Sequence, residues 1–160
     1  MTDTYRSCRT CHTATTLREL EPTTGDEKGL AVTLRGLNLL VCANGHKQFI
    51  DAEFPLRLLN HLVEEDEAKL PAGEEKGVLM FKRLHCQDCG QELEPKPDHR
   101  HCFSIRPGLP DQPDFGIDLT MAVYQCSGCS KEQLHSLAEL RKLTSTALVH
   151  AFKAAGIQSG

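Results

Sequence analysis

Cys8-Arg9-Thr10-Cys11 is the first of four short cysteine-containing turns, called knuckles below, that decide the fold of this chain. The second, Cys42-Ala43-Asn44-Gly45-His46, follows after 30 residues. The other two are Cys86-Gln87-Asp88-Cys89 and Cys126-Ser127-Gly128-Cys129, with 36 residues between them, and Cys102 is the one cysteine left over. A Cys-x-x-Cys turn brings two sulfurs to the separation of about 3.7 Å that tetrahedral zinc with bonds of about 2.3 Å requires. The spacing therefore predicts metal sites.

The knuckles pair into two sets of four ligands, which predicts two Zn²⁺ ions per chain. His46 is the ligand that depends most on geometry, because Asn44-Gly45 also fits a plain turn that leaves the imidazole in solvent. A site of four thiolates also suits iron, but the histidine in the other site favours zinc for both. The predicted metal ligands are, for site one, Cys8, Cys11, Cys42 and His46, and, for site two, Cys86, Cys89, Cys126 and Cys129.

The composition indicates that neither half of the chain has a large hydrophobic core of its own. Only 5% of the 160 residues are aromatic, and there is no tryptophan. Units of about 80 residues bury little surface and gain from a metal or a disulfide. Residues 1–6 lack the pattern of a secretory signal, and no stretch reaches the roughly 20 apolar residues of a membrane span. We therefore expect a cytoplasmic protein with reduced thiols that bind metal, and no membrane partner.

The two halves of the sequence resemble each other, which predicts an internal duplication with an offset near 80 residues. A strand-like segment precedes the second knuckle of each half, at 31–41 and at 117–125. The predicted fold is small α+β, with two zinc-ribbon-like modules, each an antiparallel hairpin with zinc knuckles plus a C-terminal helix. The modules are expected at 1–66 and 78–160, with an acidic linker at 67–77. A long loop at 104–116 is expected to connect the hairpin strands of the second module.

A helix is predicted after the second knuckle of each module. In the first, Asp51 is the predicted N-cap and Pro55 lies in the first turn, where its missing N–H costs little. An apolar stripe then follows at helical spacing, namely Phe54, Leu58, Leu59, Leu62 and Val63.

In the second module, Ser130 and Gln133 fit a capping box. Thr144-Ser145 is expected to interrupt the helical region, and Gly156 is the predicted C-cap glycine of a second helix from 146 to 155. Glycine in or after a knuckle is expected to take positive φ at Gly45, Gly90 and Gly128, with His12 at the equivalent place after Cys11.

The negative charge of the chain is concentrated between the modules. Residues 1–60 and residues 78–160 are each neutral by formal count, so the whole charge of −4 lies in residues 61–77. Three thiolates and one imidazole around Zn²⁺ sum to −1, and four thiolates to −2, so the charge with both metals is about −7. Nucleic-acid binding is disfavoured by this sign.

A third group of candidate ligands, His99-Arg100-His101-Cys102 with nearby His85, has two interpretations. It is either a separate metal or catalytic site, or a polar loop leading into a strand that starts with a small buried thiol at Cys102. The sequence has no phosphate-binding glycine loop, nucleophile elbow or His-Glu-x-x-His motif. Both predicted zinc shells have four ligands, whereas catalytic zinc keeps one position open. We therefore expect no enzymatic activity.

The first half resembles the YgiT-type (MqsA N-terminal-like) zinc-finger family. The resemblance is carried by the Cys8 knuckle, by Leu40-Val41-Cys42, and by Phe49-Ile50-Asp51-Ala52-Glu53 leading into Leu58-Leu59. It covers residues 5–63 and, more weakly, 82–155 as a second copy. It implies a small bacterial zinc ribbon used for structure and protein contact, with DNA binding left to a separate helix-turn-helix domain. The chain departs from the family in His46, where a cysteine is usual, and in lacking a helix-turn-helix.

The preferred function is a structural zinc-binding protein that acts as a non-enzymatic protein-interaction or regulatory module. Its partner is expected to be another protein, contacted through helical faces and through the ribbon tips around Arg9 and Lys47. The alternatives are a nucleic-acid-binding zinc ribbon of the transcription-regulator kind, and a metal-dependent enzyme based on residues 99–102. Because the modules are expected to be independent, Cys86→Ser should unfold the second and leave the first with its zinc.

Overall fold

The computed structural model describes residues 5–64, 70–78, 80, 82–110 and 112–157. This part of the chain has a small α+β fold in which the paired strands run antiparallel. Its elements are β1 (Thr15–Glu19), β2 (Thr23–Glu27), β3 (Leu30–Arg35), β4 (Asn38–Cys42), β5 (Lys47–Gln48), α1 (Phe54–Glu64), β6 (Glu74–Lys76), β7 (Arg83–His85), β8 (His99–Ile105), β9 (Gly116–Gln125), β10 (Glu132–Gln133) and α2 (Leu137–Ala154).

The strands form three sheets. The first has the order β1-β4-β5, and the second has the order β10-β9-β3-β2, with β8 also paired to β9. The third is the two-stranded ribbon of β6 and β7. The pairing of β8 with β9 confirms the predicted hairpin, whose connecting loop runs from 106 to 115 with residue 111 outside the described part.

Strand β9 joins the two halves of the chain. Its alternating side chains are buried as predicted, at 0% exposure for Ile117 and 3% for Leu119. Leu119 lies opposite Val32 of β3 and opposite Phe103 of β8, so first-half and second-half strands are continuous in one sheet. Leucines, valines and isoleucines from both ranges share a single hydrophobic cluster with Ala147 and other residues of α2. The boundary at the acidic linker stays a prediction, but the ranges on its two sides contribute to the same core.

The strand expected at 31–41 is wrong as a single element, because the chain turns in its middle. Gly36 has φ 70°, a conformation that glycine adopts at little cost. The carbonyl of Leu37 just after it accepts a hydrogen bond from the Leu20 amide. Because of this turn, β3 belongs to the five-stranded sheet and β4 belongs to the β1-β4-β5 sheet. A continuous run of apolar residues conceals such a change of sheet.

Helix α1 begins later than its predicted cap. Asp51 lies three residues before Phe54, and its side-chain oxygen accepts the Glu53 amide while its carbonyl accepts the Phe54 amide. It therefore orders the turn that leads into the helix. Pro55 lies in the first turn as predicted. Four residues of the apolar stripe pack in or against the core, namely Phe54, Leu58, Leu59 and Leu62, and the side chain of Val63 lies outside the described part.

Helix α2 begins at a different cap from the one predicted. Its N-cap is Ser136, whose hydroxyl accepts the Glu139 amide at 3.3 Å. Ser130 belongs to the last knuckle and Gln133 to β10, so the proposed capping box at these residues is wrong. The expected break is also wrong, because the Thr144 hydroxyl donates to the Leu140 carbonyl at 2.7 Å inside one continuous helix.

The C-terminus of α2 has the predicted glycine. Gly156 has φ 74°, and its amide donates to the Lys153 carbonyl at 3.0 Å. The Ile157 amide donates to the Phe152 carbonyl at 3.2 Å, which completes a Schellman motif. Ile157 also forms a parallel bridge with Lys47 of β5, so the end of α2 lies against the β1-β4-β5 sheet.

The middle of α2 packs directly on β2. Gly25 of β2 makes this approach possible, because a Cβ atom there would overlap the carbonyl of Ala147 and the amide of Ala151. The nearby Thr23 hydroxyl donates to the Ala151 carbonyl at 3.2 Å. A helix from the second half of the chain thus packs on β2 and β3, the two first-half strands of the five-stranded sheet. Neither α1 nor α2 has the length and apolar character needed to cross a membrane.

Candidate metal centres

Site one brings together the four predicted side chains. The ligand atoms of Cys8, Cys11, Cys42 and His46 all lie within 4.8 Å of one another. The sulfurs of Cys11 and Cys42 are 3.7 Å apart, and Nδ1 of His46 lies 3.6 Å from the Cys8 sulfur and 3.4 Å from the Cys42 sulfur. The imidazole therefore points into the cluster, with Nδ1 as the nitrogen available to a metal.

Site two brings together four sulfurs in the same way, again within 4.8 Å of one another. Cys86 and Cys129 are separated by 3.6 Å between sulfurs, and Cys89 and Cys126 by 3.4 Å. A disulfide bond measures about 2.05 Å, and all eight cysteines of the chain are free thiols. The distances suit edges of a tetrahedron around zinc with bonds of about 2.3 Å.

Each Cys-x-x-Cys knuckle has the same backbone geometry. The amide of the first cysteine donates to the carbonyl five residues on, and the amide four residues on donates back to the cysteine carbonyl. The residue after the second cysteine takes a left-handed conformation, with φ 60° at His12, 81° at Gly90 and 64° at Ser130. Gly128 does not have positive φ, so that expectation is wrong. The left-handed position falls two residues later, on Ser130.

The histidine-containing knuckle is one residue shorter. The Cys42 amide donates to the His46 carbonyl at 3.2 Å, and the Gly45 amide donates to the Cys42 carbonyl at 3.0 Å. The left-handed residue is Gly45, with φ 83°, as predicted. Because the turn is tighter, the fourth ligand must come from a longer side chain, and the imidazole of His46 reaches the cluster from there.

Hydrogen bonds stabilise the thiolate forms of several cysteines, because they lower the thiol pKa. The hydroxyl and amide of Thr13 lower the pKa of Cys11 to about 5, and the Thr13 oxygen lies 3.0 Å from the sulfur. Burial raises the pKa of Cys86, but amide donors from Cys89 and Asp88 outweigh it and bring the value to about 6. These donors favour the charged form of sulfur that binds metal.

The remaining shifts show how closely the groups are packed. Hydrogen bonds with the sulfurs of Cys11 and Cys42 raise the pKa of His46. The Lys131 amide lowers the pKa of Cys129, but burial and the neighbouring thiols raise it to about 12. Cys129 of the metal-free cluster therefore keeps its proton, which a bound dication would displace.

Two glutamines beside the sites were missed by sequence reasoning. Gln48 and Gln133 are 6% and 0% exposed, and each lies on the short strand after the second knuckle of its half. Buried glutamine is uncommon, but a single sequence does not show which glutamine is buried. The available signal was their shared position after a knuckle.

The third group of candidate ligands does not form a cluster. His101 lies 3.1 Å from Glu132, and His99 lies 3.5 Å from Asp98. Cys102 lies on a strand as predicted, but β8 already begins at His99 and the thiol is exposed, so the expectations of a polar loop at 99–101 and of a buried thiol are wrong. Within the described residues, the groups of three or more side chains that could hold a metal are sites one and two.

Comparison with known proteins adds no family to this description. No protein-family model, curated protein or solved structure matches the chain.

Proposed function

We propose that the chain is a structural zinc protein that holds two Zn²⁺ ions and acts as a non-enzymatic interaction or regulatory module. The observation that supports it is the presence of two separate, complete four-ligand sets at tetrahedral spacing. In such a shell the metal contributes to folding, and all four of its positions belong to the protein. Each half of the chain supplies four of the eight ligands, so each ion would join the two knuckles of its own half.

Zinc is the metal that suits both sites. One set has three sulfurs and an imidazole, a donor set common in zinc proteins and unusual for a lone iron. The mixed site thus supports zinc in the all-sulfur site as well. Membership of the YgiT-type zinc-finger family, with each half a ribbon, is part of this proposal and rests on the knuckle spacing and the apolar strand before Cys42. The free state of all eight cysteines supports a cytoplasmic location.

A protein is the partner that the surface favours. Leu56 of α1 is 61% exposed and Val149 of α2 is 42% exposed, so both helices present apolar side chains to solvent. At the ribbon tip, the ammonium of Lys47 donates to the Ala155 carbonyl. The acidic charge of the chain, −4 before metal is counted, repels nucleic-acid phosphates.

Native mass spectrometry of the full chain, purified under reducing conditions, tests the metal content. We expect two zinc ions per chain, and His46→Cys should keep that number. A third ion would support a catalytic site instead, and a chain that folds without any metal would contradict the proposal.

Cobalt replacement tests the closed shell. We expect the absorption spectrum of the dicobalt chain to be unchanged by azide or imidazole, because no coordination position is open. A spectral shift on adding either ligand would indicate an open site and favour an enzyme. Binding of labelled oligonucleotides at low ionic strength would favour the nucleic-acid alternative.

A further inference from the structure

The two buried glutamines occupy the same place in the two halves of the chain. Gln48 lies opposite Leu40, and Gln133 lies opposite Tyr124. Each partner is two residues before the first cysteine of the second knuckle in its half. The two carboxamides are thus placed by the same strand register beside two different metal sites.

The carboxamide oxygen does the same work at both sites. Gln48 Oε1 accepts the amide of Arg9 at 3.0 Å, and Gln133 Oε1 accepts the amide of Gln87 at 2.7 Å. Both donors directly follow the first cysteine of the first knuckle. Each glutamine therefore fixes the first knuckle of its half against the strand that follows the second knuckle.

The carboxamide nitrogen behaves differently at the two sites. Gln133 Nε2 donates to the sulfur of Cys86 at 3.0 Å, whereas Gln48 Nε2 donates to the carbonyl of Ser7 at 3.3 Å. A backbone amide can only donate, so the carboxamide atom that faces it must be the oxygen. The other carboxamide atom of each glutamine is therefore the nitrogen. Cys86 is 2% exposed, so Gln133 supplies a donor that water cannot easily replace.

We propose that Gln133 is a positioning residue of site two, which orients the Cys86 sulfur and stabilises its negative charge, while Gln48 holds only the backbone of site one. This inference rests on the proposed function, because it concerns how the same metal site is held. A hydrogen bond to a ligating sulfur offsets part of the negative charge gathered in a thiolate shell and holds the sulfur in its ligating orientation, so metal release is slower. The four-thiolate site, which carries more negative charge, is the one that receives this donor.

Cadmium-113 NMR of the full chain tests the inference, since three-sulfur and four-sulfur sites give separate resonances. The matched variants are Gln133→Met and Gln48→Met, which keep side-chain length and each remove one bond to a backbone amide. Only Gln133→Met also removes a bond to sulfur. We expect it to move the four-sulfur resonance and to speed metal release to a chelator from site two about tenfold. Gln48→Met should leave the three-sulfur resonance in place.

Equal effects of the two variants on their own sites would overturn the inference. If Gln133→Met does not fold, the wild-type chain provides the test through scalar coupling between bound cadmium and the Gln133 side-chain amide protons. Coupling supports the inference, and its absence with two ions bound contradicts the inference while leaving the proposed function intact. A wild-type chain that binds no metal contradicts both.

Discussion

Lys47 donates a hydrogen bond from its ammonium to the carbonyl of Ala155, at 2.9 Å, and so connects site one to the far end of α2. Lys47 directly follows the candidate ligand His46, and Ala155 is the C-cap residue of the helix. The positive charge lies where the helix leaves its last carbonyls without amide partners. A residue next to one metal site therefore caps the helix that follows the other.

Lys47→Met tests this connection. We expect the free energy of unfolding to fall by about 1 kcal/mol, because a charged hydrogen bond at a helix end is lost while the aliphatic stem is kept. Denaturant unfolding measures the change, and faster hydrogen exchange at Gly156 and Ile157 locates it. Lys142→Met, on the exposed middle of α2, is the control and should change stability little. Equal losses in the two variants would contradict a capping role.

Gly25→Ala should separate α2 from the sheet. The added methyl group overlaps backbone atoms of Ala147 and Ala151, which cannot move as a flexible side chain can. We expect a loss of about 3 kcal/mol or more in the free energy of unfolding, at the upper end for overpacking. Gly108→Ala is the matched control, because its new methyl group meets nothing within 4 Å. Thermal unfolding of both variants measures the difference, and a stable Gly25→Ala chain would show that α2 packs elsewhere.

His46→Ala should reduce the zinc content from two ions per chain to one. Three sulfurs remain at site one, and the fourth ligand is lost along with its contacts at 3.4 and 3.6 Å. Native mass spectrometry counts the ions. His12→Gly is the control, because His12 directly follows Cys11 in the sequence but lies outside the ligand set. Glycine also adopts the φ of 60° at this position without strain. If the control loses an ion, or if His46→Ala loses none, the assignment of His46 as the fourth ligand is wrong.

Cys11 should be the most reactive thiol of the metal-free chain at mildly acidic pH. Its pKa of about 5 means that the thiolate persists from pH 8 down to pH 6, so alkylation by iodoacetamide should slow little across that range. Cys129 is more exposed, but its pKa of about 12 keeps it protonated and slow. Peptide mass spectrometry after brief labelling at pH 6 measures the order.

Thr13→Val is the matched variant for this prediction. Loss of the hydroxyl donor raises the pKa of Cys11, so labelling at pH 6 should slow while labelling at pH 9 changes little. Faster labelling of Cys129 than of Cys11 in the unsubstituted chain would contradict the assigned pKa values. Zinc should protect the seven cysteines of the two candidate sites, since a bound thiolate is a poorer nucleophile.

Local patterns predicted the candidate sites well. Spacing in the four knuckles identified every side chain that the structure gathers, because a Cys-x-x-Cys turn is a local geometry. The positions of Gly156 and Pro55 were likewise predicted correctly, since each residue acts through the conformation of its own backbone. Ser130 and Gln133 fitted the capping-box pattern, but Ser136 and Glu139 fit it equally and are the pair that the helix uses. Two identical local signals six residues apart cannot be ranked without the tertiary contacts.

Long-range contacts were beyond the reach of local patterns. The pairing of β3 with β9 joins residues from the two proposed modules. No turn residue or hydrophobic periodicity in the sequence predicts this pairing. The burial of Gln133 likewise involves long-range contacts, because its partners Cys86 and Gln87 come from a knuckle that is distant in the sequence. With this shared sheet, we expect Cys86→Ser to weaken both halves, in contrast to the independent unfolding that the sequence predicts.

The pairing of β3 with β9 can form only late in the synthesis of the chain. The ribosome delivers Val32 long before Leu119, its partner across the sheet. Until then β3 presents an open edge, of the kind that attracts other unpaired strands. Early metal capture by the first two knuckles would hold the nascent segment compact during this interval, so zinc scarcity would harm newly made chains more than mature ones.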